Sequence, residues 1–206
     1  MSPKTKNLID KYGYAWWHLI RAGYHEDELE NLPIHKSQSV AFDLVKNLNL
    51  DAFNYGTRCG VILYTRVKGY LLFGFGQDAE YQQLTNFAGG YNKKDKNVIT
   101  AALREFCEET LGLFCNVNEN TVQNDFVVYD KYNVVIFLYT DNDIDDINTA
   151  FYEAKKKQTG KIEIEDIVWM TEEALKLTIQ QKGYTRCLYQ RLRKFLDKAH
   201  DFYSQL

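Results

Sequence analysis

Apolar residues recur every three or four positions over two early stretches, "KNLIDKYGYAWWHLIRAGY" and "KSQSVAFDLVKNLNL", which are separated by a polar, acidic run ending at Pro33. That spacing predicts helices. Residues 1–54 therefore read as a helical N-terminal extension, ahead of a main domain over residues 55–206. The pattern changes at Tyr55. "TRCGVILYTR" and "YLLFGFGQ" are rich in aromatic and β-branched residues and flank a short Val67-Lys68-Gly69 connection, which predicts a β-hairpin. After the loop "DAEYQQLTNFAGGYNKKD", a helical pattern runs from about Asn97 to Leu111, with Asp95 or Asn97 as N-cap and Gly112 as its stop. "DFVVYD" and "NVVIFLYT" predict two more strands around Lys131-Tyr132. The acidic run "DNDIDDIN" fits a solvated loop or a helix start. A helix, an alternating strand through Trp169, a helix capped by Thr171 and an amphipathic C-terminal helix complete the pattern. Strands before, between and after helices imply a mixed α/β or α+β sandwich.

Composition narrows the function classes. A chain of 206 residues can bury one sizeable core. A formal charge of -3 gives no global pull toward nucleic acid or an anionic membrane, so partners have to be argued from sites. Cys59, Cys107, Cys115 and Cys187 include no C-x-x-C pair, and there is neither a signal-peptide pattern nor an apolar run of membrane-spanning length. The expectation is reduced thiols, a cytoplasmic location and no membrane partner. His18, His25, His35 and His200 lack a metal-ligand spacing. "GFGQDA" at residues 74–79 reads as strand and turn rather than a dinucleotide fingerprint.

The stretch that carries chemistry is "GGYNKKDKNVITAALREFCEETLGL", residues 89–113. On a helix, Glu105, Glu108 and Glu109 fall within one arc, while Ile99, Leu103, Phe106 and Thr110 lie on the opposite side. Like charges at these spacings cost a few tenths of a kcal/mol per pair, so helix stability does not select them. A hard divalent cation would offset them, because Mg²⁺ and Mn²⁺ prefer carboxylate and carbonyl oxygens. Ala101 and Ala102 flank the acidic arc as small residues that would leave it room, and Gly89 and Gly90 allow backbone to approach. The alternative is a merely solvated acidic face.

This stretch resembles the signature of the Nudix hydrolase family, written G-x5-E-x7-R-E-U-x-E-E-x-G-U with U a bulky apolar residue. Counted from Gly90, Arg104 and Glu105 match its R-E, Phe106 its U, and Glu108 and Glu109 its E-E. "NFAGGY" is similar to the segment that leads into the family's box, and "EIEDIVWMTEEAL" to its late strand and helix. Two positions depart. Lys96 stands where the family has its first glutamate, with Asp95 beside it, and both Thr110 and Leu111 precede Gly112 where the family has one residue.

The resemblance implies an α/β/α sandwich with a mixed β-sheet and the hydrolysis of a diphosphate bond in a nucleoside diphosphate derivative by a metal-activated water. It implies Mg²⁺ or Mn²⁺ as cofactor, held by Glu105, Glu108 and Glu109 with the Gly90 carbonyl as a further ligand. Arg104 would orient Glu105 or a neighbouring glutamate. Glu163 and Glu165 are candidates for an extra ligand or base, or else exposed positions of an alternating strand. Tyr81 and Phe87 could stack on a base, or pack. The substrate is a nucleotide-derived small molecule in this reading. The same chemistry would serve an mRNA decapping enzyme, with RNA led in by Arg186, Arg191, Arg193, Lys194 and Lys198, or an inositol pyrophosphate phosphatase. A binding module of the same fold that has lost hydrolysis is the alternative outside enzymes. The role of Trp16 and Trp17 and the oligomeric state stay open.

Overall fold

The structure, a computed structural model, describes residues 40–180, 188–199 and 202–206. Most of the predicted N-terminal extension, with Trp16 and Trp17, lies outside the described residues, as do Arg186 and Cys187. A compact unit spans Ser39–Leu206.

The unit is built on one eight-stranded mixed sheet: β1 (Ala41–Leu44), β2 (Arg58–Val67), β3 (Tyr70–Asp78), β4 (Leu84–Thr85), β5 (Phe87–Gly90), β6 (Phe126–Asp130), β7 (Asn133–Tyr139) and β8 (Ile164–Thr171). The helices are α1 (Val98–Glu109), α2 (Ile144–Lys157), α3 (Glu172–Gln180) and α4 (Gln190–Lys198). The strand order is β1-β6-β7-β2-β3-β4, with β5 also on β2 and β8 also on β3. Among the strands of the described residues, β2 and β7 are the one pair that runs parallel. The α/β sandwich with a mixed sheet is thus as expected.

One expectation fails. Residues 41–52 form strand β1 and two short 3-10 turns, Val45–Asn47 and Leu50–Ala52, where apolar spacing suggested helix. Ala41 to Leu44 pair with Tyr129 to Phe126, so the backbone groups of this stretch go to a neighbouring strand. Its short apolar run carried too little period to tell the two states apart.

Alternation along β2 divides the core in two. Cys59, Val61 and Leu63 pack with α1 and α2 on one face, where Ile99, Phe106, Ile147 and Phe151 are buried. Ile62 packs with α3 and α4 on the other, where Leu175, Leu192, Phe195 and Phe202 are buried. The site depends on how β2 forks. Over Leu63 to Val67 its partner is β3, and over Arg58 to Val61 it is β5, with Arg58 opposite Gly90. The fork brings the two glycines of β5 against α1.

Candidate active site

Helix α1 starts where its sequence says it should. The Asn97 side chain accepts from the N–H groups of Ile99 (3.0 Å) and Thr100 (2.9 Å), and the Thr100 hydroxyl accepts from the Asn97 N–H at 3.0 Å. This reciprocal cap satisfies orphan donors at both positions. At the other end Leu111 and Gly112 take positive φ values of 55° and 89°, and the Gly112 N–H reaches the Cys107 carbonyl at 2.9 Å. The additional residue before Gly112 is therefore absorbed by a left-handed turn after Glu109, which leaves the register of the glutamates unchanged.

Arg104 is the hub of the acidic face. Its Nε donates to Asp95 Oδ1 at 2.7 Å and its Nη2 to Asp95 Oδ2 at 3.1 Å. Nη1 donates to Glu105 at 2.6 Å and to Glu108 at 3.4 Å, and Nη2 also reaches the Gly90 carbonyl at 3.3 Å. The bond to Arg104 holds the Asp95 carboxyl below the usual carboxylate range. Asp95 thus takes the place beside the arginine that Lys96 cannot fill. Lys96 turns outward to Glu119 at 3.3 Å.

Glycine at position 89 is required by close approach. A Cβ there would collide with the carboxyl group of Glu105, which lies directly on strand β5. Glu109 lies beside the same strand, its Oε2 accepting from the Ala88 N–H at 2.7 Å. Burial pushes its carboxyl up to about 8, with Glu105 and Glu163 adding to the rise, while the Ala88 N–H and Arg58 act against it.

Sequence candidates sort unevenly. Gly90, Arg104, Glu105 and Glu108 converge, and Glu109 accepts from the Ala88 N–H of the same strand, two residues before Gly90. Glu163 lies within the field of Glu109. Glu165 is turned away, paired with Lys155 at 3.0 Å and bonded by Gln82. Phe87 is fully buried edge-to-face on Phe106, which leaves it no face for a base, whereas Tyr81 is exposed. Ala101 and Ala102 are core residues and border no open space at the acidic face. Arg58 was not singled out by sequence reading. Its only signal is a charge directly ahead of the apolar run Cys59 to Leu63.

The cysteine expectation needs correcting. Cys107 and Cys115 are paired as a disulfide across the end of α1, with Cα atoms 4.7 Å apart. The left-handed turn at Leu111 and Gly112 brings them together, which spacing alone did not reveal. Cys59 is a buried free thiol, pushed up to about 12 chiefly by burial.

Among the described residues, no three acidic, cysteine or histidine side chains stand close enough to hold a metal as placed. The donor set nonetheless suits a hard cation. Every group facing Arg104 is an oxygen, and one cationic guanidinium already links the Gly90 carbonyl, Glu105 and Glu108.

No family profile matches the chain, and no curated protein does. Solved structures do. An Ap4A hydrolase from C. elegans, in a binary complex, is 17% identical over 72% of this chain and 98% of its own, with a TM-score of 0.41. The Nudix domain of Shewanella oneidensis NrtR, complexed with ADP ribose, is 14% identical over 76% and 94%, with a TM-score of 0.40. The chain is similar in shape to these proteins, and its functional reading rests on its own side chains. Among the described residues no helix is long and apolar enough to cross a membrane.

Proposed function

We propose that this protein is a Nudix hydrolase that cleaves a diphosphate bond in a nucleoside diphosphate derivative. The observation that carries the reading is the convergence of the Gly90 carbonyl, Glu105 and Glu108 on one guanidinium held from behind by Asp95. Oxygen donors from a glycine strand and one helix face, arranged around a cation, are what Mg²⁺- or Mn²⁺-assisted hydrolysis needs. Glu105, Glu108, Glu109 and the Gly90 carbonyl would hold the metal. When bound, a divalent cation neutralises the diphosphate and makes an attacking water more acidic.

The chain's own residues have separable tasks. Asp95 fixes Arg104, and Arg104 fixes Glu105 through one short charge-assisted bond. Glu109, its carboxyl pushed up to about 8, can exchange a proton near neutral pH while the Ala88 N–H holds its Oε2. Glu163 adds negative charge beside it. The decisive test is hydrolysis across ADP-ribose, nucleotide sugars, dinucleoside polyphosphates, nucleoside triphosphates, inositol pyrophosphates and capped RNA, with Mg²⁺ and with Mn²⁺. Metal-dependent cleavage of one class supports the reading and names the substrate.

A second reading keeps the fold and drops the chemistry. The observation favouring it is that Arg104 itself occupies the centre of the oxygen donors. A binding module would leave every member of the panel intact.

A further inference from the structure

Two of the site's three glutamates stand at the end of their helix, where backbone is least constrained. Glu108 and Glu109 are the last two residues of α1, and Thr110 follows as its C-cap. Terminal turns fray because their last carbonyls have no partner further along the helix. The Glu108 side chain is 60% exposed, and its bond to Arg104 is long at 3.4 Å. The chain that follows α1 is therefore part of what places these carboxylates.

That chain turns back and grips the helix at both ends. At the last turn Cys115 is joined to Cys107, the residue directly before Glu108. Beside it Phe114 stacks on Phe106, with ring centroids 4.8 Å apart. At the first turn the Glu119 carboxylate accepts from the Asn97 amide at 3.0 Å and from Lys96 at 3.3 Å. Asn97 is the N-cap of α1 and lies two residues after Asp95, the anchor of Arg104. Residues 114–119 thus brace α1, and their covalent attachment falls at the end that carries Glu108 and Glu109.

The attachments differ in what can undo them. Phe114 and Val122 are buried in the core, so the brace keeps its apolar hold when the disulfide opens. The Cys115 N–H meets the Gly112 carbonyl only at 3.5 Å, which leaves the disulfide as the firm link at that point. Cys115 is exposed and Cys107 half-buried, so a small thiol can reach the pair, and exposed disulfides are the ones open to exchange.

We propose that the Cys107–Cys115 pair is a redox-reversible staple on the acidic end of α1. Closed, it holds Glu108 and Glu109 in register with Glu105. Opened by a dithiol, it frees the last turn while the fold stays intact. In the opening step a dithiol sulfur bonds to one cysteine sulfur as the Cys107–Cys115 bond breaks, and its second sulfur then displaces that cysteine. The dithiol is oxidised to a cyclic disulfide, and its two electrons and two protons end on Cys107 and Cys115 as thiols. A disulfide oxidant closes the pair by the reverse exchange. That opening also weakens metal binding rests on the hydrolase reading above, since a ligand that is no longer oriented binds less well.

The test is nuclear spin relaxation of the backbone amides of the full chain in EDTA, first oxidised and then treated with dithiothreitol, beside C115S. Order parameters for Glu108 to Gly112 should be about 0.85 in the oxidised protein and fall below about 0.6 in the reduced protein and in C115S. Those of β2 should not change. C115S should be indifferent to dithiothreitol, and a disulfide oxidant should restore the reduced wild type. No metal is present, so this result stands apart from the hydrolase reading. Mn²⁺ titration then reads the consequence, with the closed form expected to bind about tenfold more tightly than the open one. Order parameters that are unchanged by reduction, or lost along the whole chain, overturn the staple. A loosened last turn with Mn²⁺ bound by neither form supports the staple and overturns the hydrolase reading.

Discussion

Asp95 and Arg104 are joined by two hydrogen bonds, 2.7 Å from Nε and 3.1 Å from Nη2, and this pair fixes the guanidinium that bridges Glu105, Glu108 and Gly90. The Asp95 side chain is only 3% exposed. The loop ahead of α1 thus anchors the arginine through Asp95, and Lys96 pairs outward with Glu119.

That arrangement makes a paired prediction. Asp95→Ala should cost about 2 kcal/mol in denaturant unfolding, because a partly buried charge loses a bidentate partner. Lys96→Glu, which puts a second carboxylate next to Asp95, should change stability by no more than about 0.5 kcal/mol, since every donor of Arg104 already has a partner. A large gain from Lys96→Glu would show that Asp95 is not the arginine's anchor.

Glu109 gives the metal-free protein a pH dependence with a definite sign. Its carboxyl is raised from 4.5 to about 8, so between those values the folded state binds a proton that the unfolded state has released. Stability from this group is full below the ordinary carboxylate value and falls as pH rises through about 8. Unfolding in EDTA, followed over that range, should lose stability in wild type more steeply than in Glu109→Gln. Identical slopes would contradict the burial assigned to Glu109.

The same group couples metal to protons. A carboxylate ligand must be deprotonated, so Mg²⁺ binding should release a proton and tighten as pH rises toward about 8. Titration in buffers of different ionisation enthalpy measures the proton count directly. In Glu109→Gln the pH dependence should flatten.

Gly89→Ala separates site from scaffold. The added Cβ meets the end of a flexible side chain, Glu105, and no backbone atom among its nearest contacts. The carboxyl should be displaced from the strand while the fold survives. Turnover should fall by about 10²-fold or more, as expected for a misplaced catalytic group, with a melting temperature close to wild type. Loss of folding in step with activity would argue that Glu105 is held rigidly by its surroundings.

The Cys107–Cys115 pairing closes a loop across the end of α1, at a sequence separation of 8. A loop this short is worth about 2.5 kcal/mol on the chain-entropy account. Reductant, or Cys107→Ser, should lower the unfolding midpoint accordingly, and mass spectrometry after alkylation should find both sulfurs blocked before reduction. Free thiols at both positions would return the chain to the reduced state that its spacing suggested.

Much of the fold was legible because its elements are long and strongly patterned. The β2–β3 hairpin, the Asn97 cap, the Thr171 cap and the strand through Trp169 all stand where the sequence places them. The stretch around Phe42 was misread, since four residues cannot distinguish a strand from a helical turn without knowing that β6 waits beside them. The acidic face was legible as a helical arc, and Asp95 as the residue able to replace the missing glutamate. The environment of Glu109 was not, because the Ala88 N–H and Arg58 come from strands brought together by the fork of β2. Phe87 and Ala101 look available in sequence and are core in three dimensions, since burial depends on which face of the sheet α1 covers.

The most direct test of the account is steady-state hydrolysis of the best member of the substrate panel as a function of Mg²⁺, in wild type beside Glu109→Gln. The account predicts turnover that requires the metal and falls by about 10³-fold in the variant, which removes a carboxylate and leaves the shape. Turnover that is absent from wild type across the whole panel, or that survives in Glu109→Gln, would contradict it.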